Sequence, residues 1–287
     1  MGYKAMNENS QPHMHIKDWL DSATSQLDAV GIKSARLDAE IILDHTISKN
    51  RTYLHAHDEE HLDPRIIEIA DARLMLRLDR VPIAYIIGHK EFYGRKFNVT
   101  TAVLIPRPES ETLIDVLKDL QPKNETLFSD TVRLVDVGTG SGVLGITAKL
   151  ELPELDVTLL DISGQALTVA EKNATRLQAD VQILRSDLLT GYPFKPAFII
   201  ANLPYVDPAW ERSPETDQEP ELALFAGDGG KAIIYQLIAQ AVTVLDSKGI
   251  IILEADPTQH QAIIQFALEH GFQNIREQDY CLAFIKN

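Results

Sequence analysis

The chain has 287 residues, of which 45% are hydrophobic and 24% are charged, which is typical of globular proteins with room for two modest domains. Its formal net charge of −15 disfavours binding to nucleic acid through a basic face and favours a protein or small-molecule substrate. No run of about eighteen apolar residues occurs, so no membrane span is expected, and the single Cys281 indicates a reducing, cytoplasmic compartment.

Helical periodicity dominates the first part of the chain. Residues 1–14 lack the apolar core of a signal peptide, and we interpret them as a disordered extension or an expression remnant. Between residues 15 and 82, apolar residues recur every three or four positions, and Ser34 and Asp63 stand where helix N-caps belong. The sequence therefore predicts a small all-helical domain over this range.

Three histidines, His55, His57 and His61, lie in an acid-rich stretch of that domain. A metal site is one interpretation of them. Their spacing matches no zinc motif, so we interpret the stretch as a solvated loop and expect no bound metal.

A linker, residues 83–108, follows the helical domain. Its EFYG and KFNV stretches alternate as a β-hairpin does, with Gly94 near the turn. The stretch VLIPRPE predicts a strand that leads into two prolines, and a helix is expected from about Glu109 to Leu120.

Residues 109–287 form the second predicted domain, in which strands alternate with helices. The strands are rich in Val, Ile and Leu, which is typical of a doubly wound parallel sheet covered on both faces. A last pair of strands is predicted to close the chain. The earlier strands are predicted at 132–138, 156–162, 180–187, 196–203 and 249–256.

A glycine-rich loop, VDVGTGSGVLG, lies where the first strand of this sheet ends and a helix begins. Ligands bind at this position in open α/β sheets, and glycines let them lie against the backbone. The segment from Gly140 to Gly145 matches the GxGxxG pattern, and Asp161 follows about twenty residues later. A dinucleotide-dependent enzyme is therefore one interpretation.

Carboxylates at successive strand ends favour a different ligand. Asp136 precedes the glycines, and an acid there is unfavourable for a pyrophosphate but suits the ammonium group of S-adenosylmethionine (SAM). Asp161 is placed to hold ribose hydroxyls, and Asp187 to accept a hydrogen bond from the adenine amino group while Leu188 packs on the base. Asp187 is equally compatible with a helix cap or a turn. The set of three carboxylates favours SAM over a dinucleotide.

The stretch IIANLPYVDP brings an amide, a proline and a tyrosine to the end of the fourth strand. The Asn202 side-chain oxygen and the Leu203 carbonyl, whose direction Pro204 restricts, are placed to accept both hydrogens of a substrate NH₂ group. Tyr205 adds a flat face for a planar group. Accepting both N–H bonds turns the nitrogen lone pair toward a methyl donor. A plain turn is the alternative, but the position after a SAM-like loop favours methyl transfer to nitrogen.

The order of these motifs resembles the PrmC/HemK family. The stretches GHKEFYG, VLIPRPESE, DVGTGSG, SDLL, NLPY and EPELALFAGDGG follow one another from about residue 16 onward. The EFYG and VLIPRPE block is the specific part, because other class I methyltransferases share only the glycine loop. The resemblance implies a class I SAM-dependent methyltransferase: an α/β, Rossmann-like doubly wound sheet, mostly parallel with a C-terminal antiparallel strand, preceded by a small all-helical N-terminal domain.

The resemblance also implies a reaction. Members of this family methylate the side-chain amide nitrogen (N5) of the glutamine in the GGQ motif of class I peptide-chain release factors. The cofactor is SAM and the product is S-adenosylhomocysteine, with no metal and no covalent intermediate. The helical domain would help to grip the release factor, no direct contact with nucleic acid is expected, and a cytoplasmic monomer is the default expectation.

The resemblance further assigns site residues. The implied catalytic residues are Asn202, Pro204 and Tyr205. Substrate contacts would come from these three together with Leu203, Arg107 and Glu109. The SAM site would comprise Asp136, Gly138, Thr139, Gly140, Gly142, Asp161, Ile162, Asp187, Leu188 and Asn202.

Leu203 is the one departure from the family's Asn-Pro-Pro-Tyr motif, although leucine still supplies the backbone carbonyl. Asn-Leu-Pro-Tyr resembles the rRNA adenine dimethyltransferases, so a nucleic-acid adenine or cytosine amino-methyltransferase is the enzymatic alternative. A SAM-binding partner protein without catalysis is the non-enzymatic alternative. The RNA enzymes tend to be basic and carry their helical domain last, whereas this chain is acidic and carries it first.

An acidic segment follows the Asn-Leu-Pro-Tyr motif and contains Glu215, Asp217, Glu219 and Glu221. A solvated loop is one interpretation of it. The other is a substrate-facing lid that meets a basic surface on the release factor.

Overall fold

The computed structural model describes residues 14–121 and 132–287, and the chain divides into two compact units, Met1–Ile87 and Gly88–Asn287. The interpretation of residues 1–14 falls outside the described residues except for Met14. The Met14 carbonyl accepts a hydrogen bond from the Leu62 backbone N–H at 2.9 Å, so Met14 is part of the helical unit.

The first unit is built from helices around its own apolar core, which includes Trp19, Leu43 and Leu74. Asp63 caps the fourth helix as predicted, because its side chain accepts from the Arg65 backbone N–H at 2.8 Å. No helix among the described residues combines the length and apolarity needed to cross a membrane. The helices are α1 (Ile16–Ala29), α2 (Ala35–Ile47), α3 (Arg51–Ala56), α4 (Pro64–Leu78) and α5 (Ile83–Ile87).

Two details differ from the sequence interpretation of this unit. Helix α5 continues the helical unit beyond residue 82, and the Pro82 carbonyl accepts its first hydrogen bonds, from the N–H groups of Tyr85 at 3.0 Å and Ile86 at 3.3 Å. His55 lies in α3 rather than in a loop, while His57 and His61 follow that helix. Within residues 14–121 and 132–287, no group of three or more His, Cys, Asp or Glu side chains is arranged to hold a metal ion.

The second unit opens with the predicted hairpin, formed by β1 (His89–Phe92) and β2 (Arg95–Asn98). The prediction of a strand at VLIPRPE is wrong. Residues 104–107 have no regular structure, and a 3₁₀ turn at Pro108–Ser110 leads into α6 (Glu111–Leu120). The two prolines of this stretch lack the N–H groups that a strand ladder needs. The Ile105 N–H donates instead to the Glu219 side chain at 3.0 Å.

The main sheet is doubly wound and mostly parallel, as predicted. Its strand order is β5-β4-β3-β6-β7-β9-β8, and β9 runs antiparallel to β7 and β8. The strands are β3 (Arg133–Val137), β4 (Asp156–Asp161), β5 (Gln182–Arg185), β6 (Phe198–Ala201), β7 (Ile250–Glu254), β8 (Phe272–Gln278) and β9 (Cys281–Lys286). The helices after β3 are α7 (Val143–Glu151), α8 (Gly164–Leu177), α9 (Glu221–Leu224), α10 (Ala232–Val244) and α11 (His260–Glu269).

Alternate residues of the central strands pack into different apolar cores. Leu134 and Ile200 belong to a core that includes residues of α6, α7 and α8. Val135 and Ile199 belong to a second core, which includes residues of α10 and α11. Successive side chains of a strand point to opposite faces, so both faces of the sheet are covered. This double burial explains why β6, Phe198–Ala201, is apolar throughout.

The strand order reverses between β3 and β6. From β3 the sheet continues through β4 and β5 on one side, and through β6 and β7 on the other. A crevice forms at the carboxyl ends of the strands at such a reversal. The glycine loop follows β3 and Asn202 follows β6, so the fold brings both predicted motifs to this crevice.

Candidate active site

The glycine loop between β3 and α7 requires glycine for both conformation and packing. Gly138 and Gly142 have φ values of 71° and 83°, in the left-handed region that favours glycine. A Cβ on Gly142 would lie 2.6 Å from Ile146 Cδ1, and a Cβ on Gly138 would lie 2.7 Å from Leu203 Cδ2. The loop backbone therefore lies close to Leu203, the residue that follows Asn202.

Asp136 braces this loop from within the protein. Its Oδ2 accepts hydrogen bonds from Thr139 Oγ1 at 2.5 Å and from the Gly145 N–H at 2.8 Å. Its Oδ1 has no hydrogen-bond partner among the described residues. Burial raises the pKa of Asp136 to about 7, against the lowering effect of its two hydrogen bonds. Asp136 thus holds the shape of the loop.

Asp161, at the end of β4, also holds the loop in place from the strand next to β3. Its Oδ2 accepts from the Gly140 N–H at 2.9 Å, and its Oδ1 accepts from the Ser163 N–H at 2.8 Å. Burial raises its pKa, while these backbone hydrogen bonds lower it. Each carboxylate oxygen retains a lone pair for a ligand hydroxyl.

A cavity of about 440 Å³ lies beside the loop, which is within the range of small-molecule sites. Three of the predicted cofactor residues are not part of its lining: Thr139 and Gly142 belong to the loop, and Asp136 holds the loop by its hydrogen bonds. The predicted residues that do line the cavity are Gly138, Gly140, Asp161, Ile162, Asp187, Leu188 and Asn202.

A smaller cavity of about 270 Å³ adjoins the first. Asn202 and Leu203 line both cavities, as do Leu104 and Ala223. Asn202 and Leu203, which follow β6, therefore contribute to the lining of two neighbouring cavities. The smaller cavity is further lined by polar and aromatic side chains, including Arg107, Tyr205, Trp210, Glu254 and Tyr280.

A chain of hydrogen bonds runs from Asn202 into the interior. Asn202 Nδ2 donates to Ser110 Oγ at 2.9 Å, and Ser110 Oγ donates to Glu254 Oε2 at 2.5 Å. Tyr205 donates its hydroxyl to Glu254 Oε1 at 2.9 Å. Glu254 is 1% exposed, and burial is the main cause that raises the pKa values of both Glu254 and Tyr205.

The backbone of Tyr205 is held as firmly as its side chain. Gln259 Nε2 donates to the carbonyls of Tyr205 and Gly229, each at 2.8 Å. A Cβ on Gly230 would lie 1.9 Å from the Tyr205 carbonyl oxygen, so only glycine fits there. These contacts therefore fix the Tyr205 end of the Asn-Leu-Pro-Tyr turn, whereas Leu203 is the residue that lies close to the glycine loop.

Arg107 and Glu109 occupy different surroundings although they are near neighbours in the sequence. Arg107 lines the smaller cavity and forms an ion pair with Glu219, which is 6% exposed. One residue of the acidic segment is therefore buried rather than solvated. Glu109 is exposed and lines neither cavity, but its negative charge contributes to the raised pKa of Glu254.

Sequence reasoning missed Ser110, Glu254 and Gln259, and it named Glu219 only as part of the acidic segment. Glu254 ends β7, so the strand-end rule that selected Asp136 and Asp161 also applies to it. Ser110 follows the Arg107–Glu109 stretch directly, but nothing in its local sequence indicates a partner. Gln259 gave no local signal, because the Tyr205 carbonyl to which it donates lies far away in the sequence. The acidic composition around Glu219 did not indicate that this residue is buried and pairs with Arg107.

Comparisons with known proteins agree with this architecture. A family model described as the PrmC N-terminal domain matches residues 18–88, and one described as the methyltransferase small domain matches residues 110–216. The chain is 38% identical over 254 residues to a release factor glutamine methyltransferase of Koribacter versatilis, covering 85% of this chain and 89% of that protein. The chain belongs to the release factor glutamine methyltransferase family.

A second member of the release factor glutamine methyltransferase family, from Escherichia coli K12, is 34% identical over 277 residues, covering 93% of this chain and 95% of that one. A methyltransferase structure from Pyrococcus furiosus superimposes with a TM-score of 0.50 at 17% identity, covering 76% of this chain and 98% of that one, which shows the fold alone. Family membership confirms the resemblance drawn from the motifs and the prediction of a class I methyltransferase.

Proposed function

We propose that this protein transfers a methyl group from SAM to the side-chain amide nitrogen of the glutamine in the GGQ motif of class I release factors. The names of its relatives support glutamine and release factors as the substrate. The observation that carries the proposal is the position of Asn202 and Leu203 on the lining of both cavities. The proposal places a monomeric enzyme in the cytoplasm, where release factors act.

The residues around the larger cavity fit SAM. Gly138 leaves room beside the backbone, the lone pairs of Asp161 suit ribose hydroxyls, and Asp187 suits the adenine amino group. Leu188 is buried and offers an apolar surface to the base. When bound, SAM supplies a methyl group made electrophilic by the sulfonium to which it is attached.

Asn202 and Leu203 are proposed to orient the substrate amide. The Asn202 side-chain oxygen and the Leu203 carbonyl each accept one hydrogen of the glutamine NH₂, which turns the nitrogen lone pair toward the methyl donor. Leu203 is 4% exposed and its side chain packs against Gly138. Packing thus restrains Leu203 where other members of the family have a proline.

The smaller cavity is proposed to receive the glutamine side chain. Tyr205 supplies a flat wall, and Arg107 contributes to the lining through a side chain that Glu219 holds in place. Pro204 restricts the backbone of Leu203. Glu109 is proposed to contact the release factor from outside the cavities, and the helical unit is proposed to bind the body of the release factor.

The decisive experiment uses SAM with a tritiated methyl group and a purified release factor, either wild type or with its GGQ glutamine replaced. We expect label in the wild-type factor only. Equal labelling of both factors, or of neither, contradicts the proposal. Parallel reactions with RNA and DNA test the nucleic-acid alternative, which predicts label in nucleic acid instead.

A further inference from the structure

The hydroxyl of Ser110 bridges Asn202 and Glu254. Asn202 Nδ2 lies 2.9 Å from Ser110 Oγ, which in turn lies 2.5 Å from Glu254 Oε2. Ser110 is 2% exposed and Glu254 is 1% exposed. Because both side chains are shielded from water, their hydrogen-bonding needs must be met by each other and by their protein neighbours.

The direction of each hydrogen bond follows from the number of protons available. A serine hydroxyl has one proton to donate, and a carboxyl oxygen that carries no proton can only accept. Ser110 therefore donates to Glu254 Oε2, while Tyr205 donates to Glu254 Oε1 at 2.9 Å. The Ser110 oxygen then offers only lone pairs to Asn202, and the NH₂ end of the carboxamide is the end that can satisfy them.

A flipped carboxamide would be unfavourable at this position. The Asn202 oxygen would then face the lone pairs of Ser110 Oγ, and a buried acceptor would be left without a donor. Burial raises the pKa of Glu254, whereas hydrogen bonds from Ser110, Tyr205 and Asn202 lower it. The arrangement requires that Glu254 Oε2 carry no proton, so that it accepts from Ser110 Oγ at 2.5 Å.

We propose that Ser110 and Glu254 are positioning residues for methyl transfer, because together they fix which end of the Asn202 carboxamide meets the substrate nitrogen. They direct the side-chain oxygen, and not the NH₂ group, toward the cavities. The inference rests on the proposed function, in which that oxygen accepts a hydrogen from the glutamine amide. Ser110 and Glu254 act through Asn202 rather than on the reacting atoms.

The test compares Glu254→Gln, Ser110→Ala and Ser110→Thr. In Glu254→Gln the new NH₂ group donates to Ser110 Oγ, which frees the Ser110 proton for the Asn202 oxygen and allows the carboxamide to turn. Ser110→Ala removes the bridge, whereas Ser110→Thr keeps a hydroxyl. Thr147→Val is the matched control, because it removes a buried hydroxyl that has no hydrogen-bond partner among the described residues.

We expect kcat for release-factor methylation to fall about 100-fold in Glu254→Gln and Ser110→Ala, as misplaced catalytic groups typically cause. The Kd for SAM should stay within about threefold in both variants, because neither residue lines the larger cavity. The KM for the release factor should stay within about threefold in Ser110→Ala, because Ser110 lines neither cavity. Ser110→Thr should recover most of the rate, and Thr147→Val should match the wild type. Wild-type kcat in Glu254→Gln or Ser110→Ala overturns the proposal, and so does a rise in SAM Kd that parallels the loss of rate.

A spectroscopic measurement without release factor separates this inference from the proposed function. In protein labelled with ¹⁵N-asparagine, the Asn202 side-chain NH₂ signal is assigned by its loss in Asn202→Ala. We expect this signal to shift in Glu254→Gln and Ser110→Ala but not in Thr147→Val. An unmoved signal overturns the inference even if the rates fall. If the wild type labels no release factor, the proposed function fails, while the signal still decides the orientation of Asn202.

Discussion

Asn202 can serve a substrate NH₂ group through only one end of its side chain, the carboxamide oxygen. Its other end donates to Ser110, and the residue stands where two cavities meet. The sequence alone already placed the Asn202 amide at the end of a strand. The direction in which that amide points depends on Ser110 and on Glu254, which no local pattern connects to it.

Replacing Asn202 with alanine should separate binding from chemistry. Asn202→Ala removes the side-chain acceptor, so methyl transfer should fall by about 100-fold or more, as removal of one stabilising group in an active site typically causes. SAM affinity should stay near the wild-type value, because Asn202 is only one of many residues that line the larger cavity. Calorimetry with SAM and the tritium assay measure the two quantities, and a parallel loss of both contradicts this role.

The ionisation of Asp136 should make stability depend on pH. Its pKa of about 7 in the folded protein exceeds its ordinary value of 3.8, so the folded form binds the proton more tightly than the unfolded form. The resulting stabilisation is complete below about pH 4 and is lost as the pH rises through about 7. At about 1.4 kcal/mol per pH unit, the loss between about pH 5 and about pH 7.5 is on the order of 3 kcal/mol.

Urea unfolding of the ligand-free protein at these two pH values measures the effect. Asp136→Asn is the appropriate comparison, because it keeps an acceptor for Thr139 and Gly145 but cannot ionise. The free energy of unfolding should fall less with rising pH in the variant than in the wild type. The same pH slope in both proteins would show that Asp136 is already ionised at low pH in the folded state.

At the scale of elements, helix α7 lies close against β3 and β4 because Gly145 has no side chain. A Cβ on Gly145 would lie 2.2 Å from Leu159 Cδ2 and 2.9 Å from Asp136 Cβ. The Gly145 N–H also donates to Asp136, so packing and hydrogen bonding fix the same helix. The glycine loop begins at β3 and ends at α7, and its shape therefore depends on this contact.

Gly145→Ala should push α7 away from the sheet. We expect a loss of about 1–3 kcal/mol in the free energy of unfolding, the usual cost of overpacking, together with weaker SAM binding. Gly164→Ala is the matched control, because a Cβ on this first residue of α8 meets no atom within 4 Å. It should cause no loss, or a gain of up to about 1 kcal/mol. Urea unfolding measures the stability of both variants, and SAM titration measures their affinity for SAM. Equal stability of Gly145→Ala and Gly164→Ala contradicts the packing argument.

At the scale of the whole molecule, each of the two units has its own apolar core. In the first unit, Arg77 Nε lies 2.7 Å from Asp38 Oδ2, and both side chains are buried. Removing one partner of such a pair leaves a buried charge uncompensated and typically costs about 3–5 kcal/mol. The proposed SAM site belongs entirely to the second unit.

Calorimetric unfolding of the full chain should therefore show two separable effects. Asp38→Ala should lower the transition of the first unit, and SAM at about 100 times its Kd should stabilise the second by about 2.7 kcal/mol. Asp21→Ala is the control, because it removes an exposed partner of Arg36 and should cost less than about 1 kcal/mol. A single transition that responds equally to Asp38→Ala and to SAM contradicts independent unfolding.

The fold was accessible from the sequence because its signals are local or periodic. Helical spacing predicts α1, α2 and α4, and apolar runs predict β3 to β7, since buried parallel strands need apolar residues on both faces. The error at VLIPRPE has a local cause as well. Apolar residues there suggested a strand, but the prolines cannot donate to a ladder. Val103, Ile105 and Pro106 are buried by tertiary packing instead.

The sequence by itself determined the family, the order of elements and the placement of the glycine loop, Asp161 and Asn202 at strand ends. Only the tertiary structure decided which groups meet there. Ser110 and Asn202 are 92 residues apart in the chain, and Ser110 and Glu254 are 144 residues apart. Such contacts arise from the order of strands in the sheet, which brings β6 and β7 together. The same packing buries Asp136 under the loop, because burial depends on neighbours that no local pattern specifies.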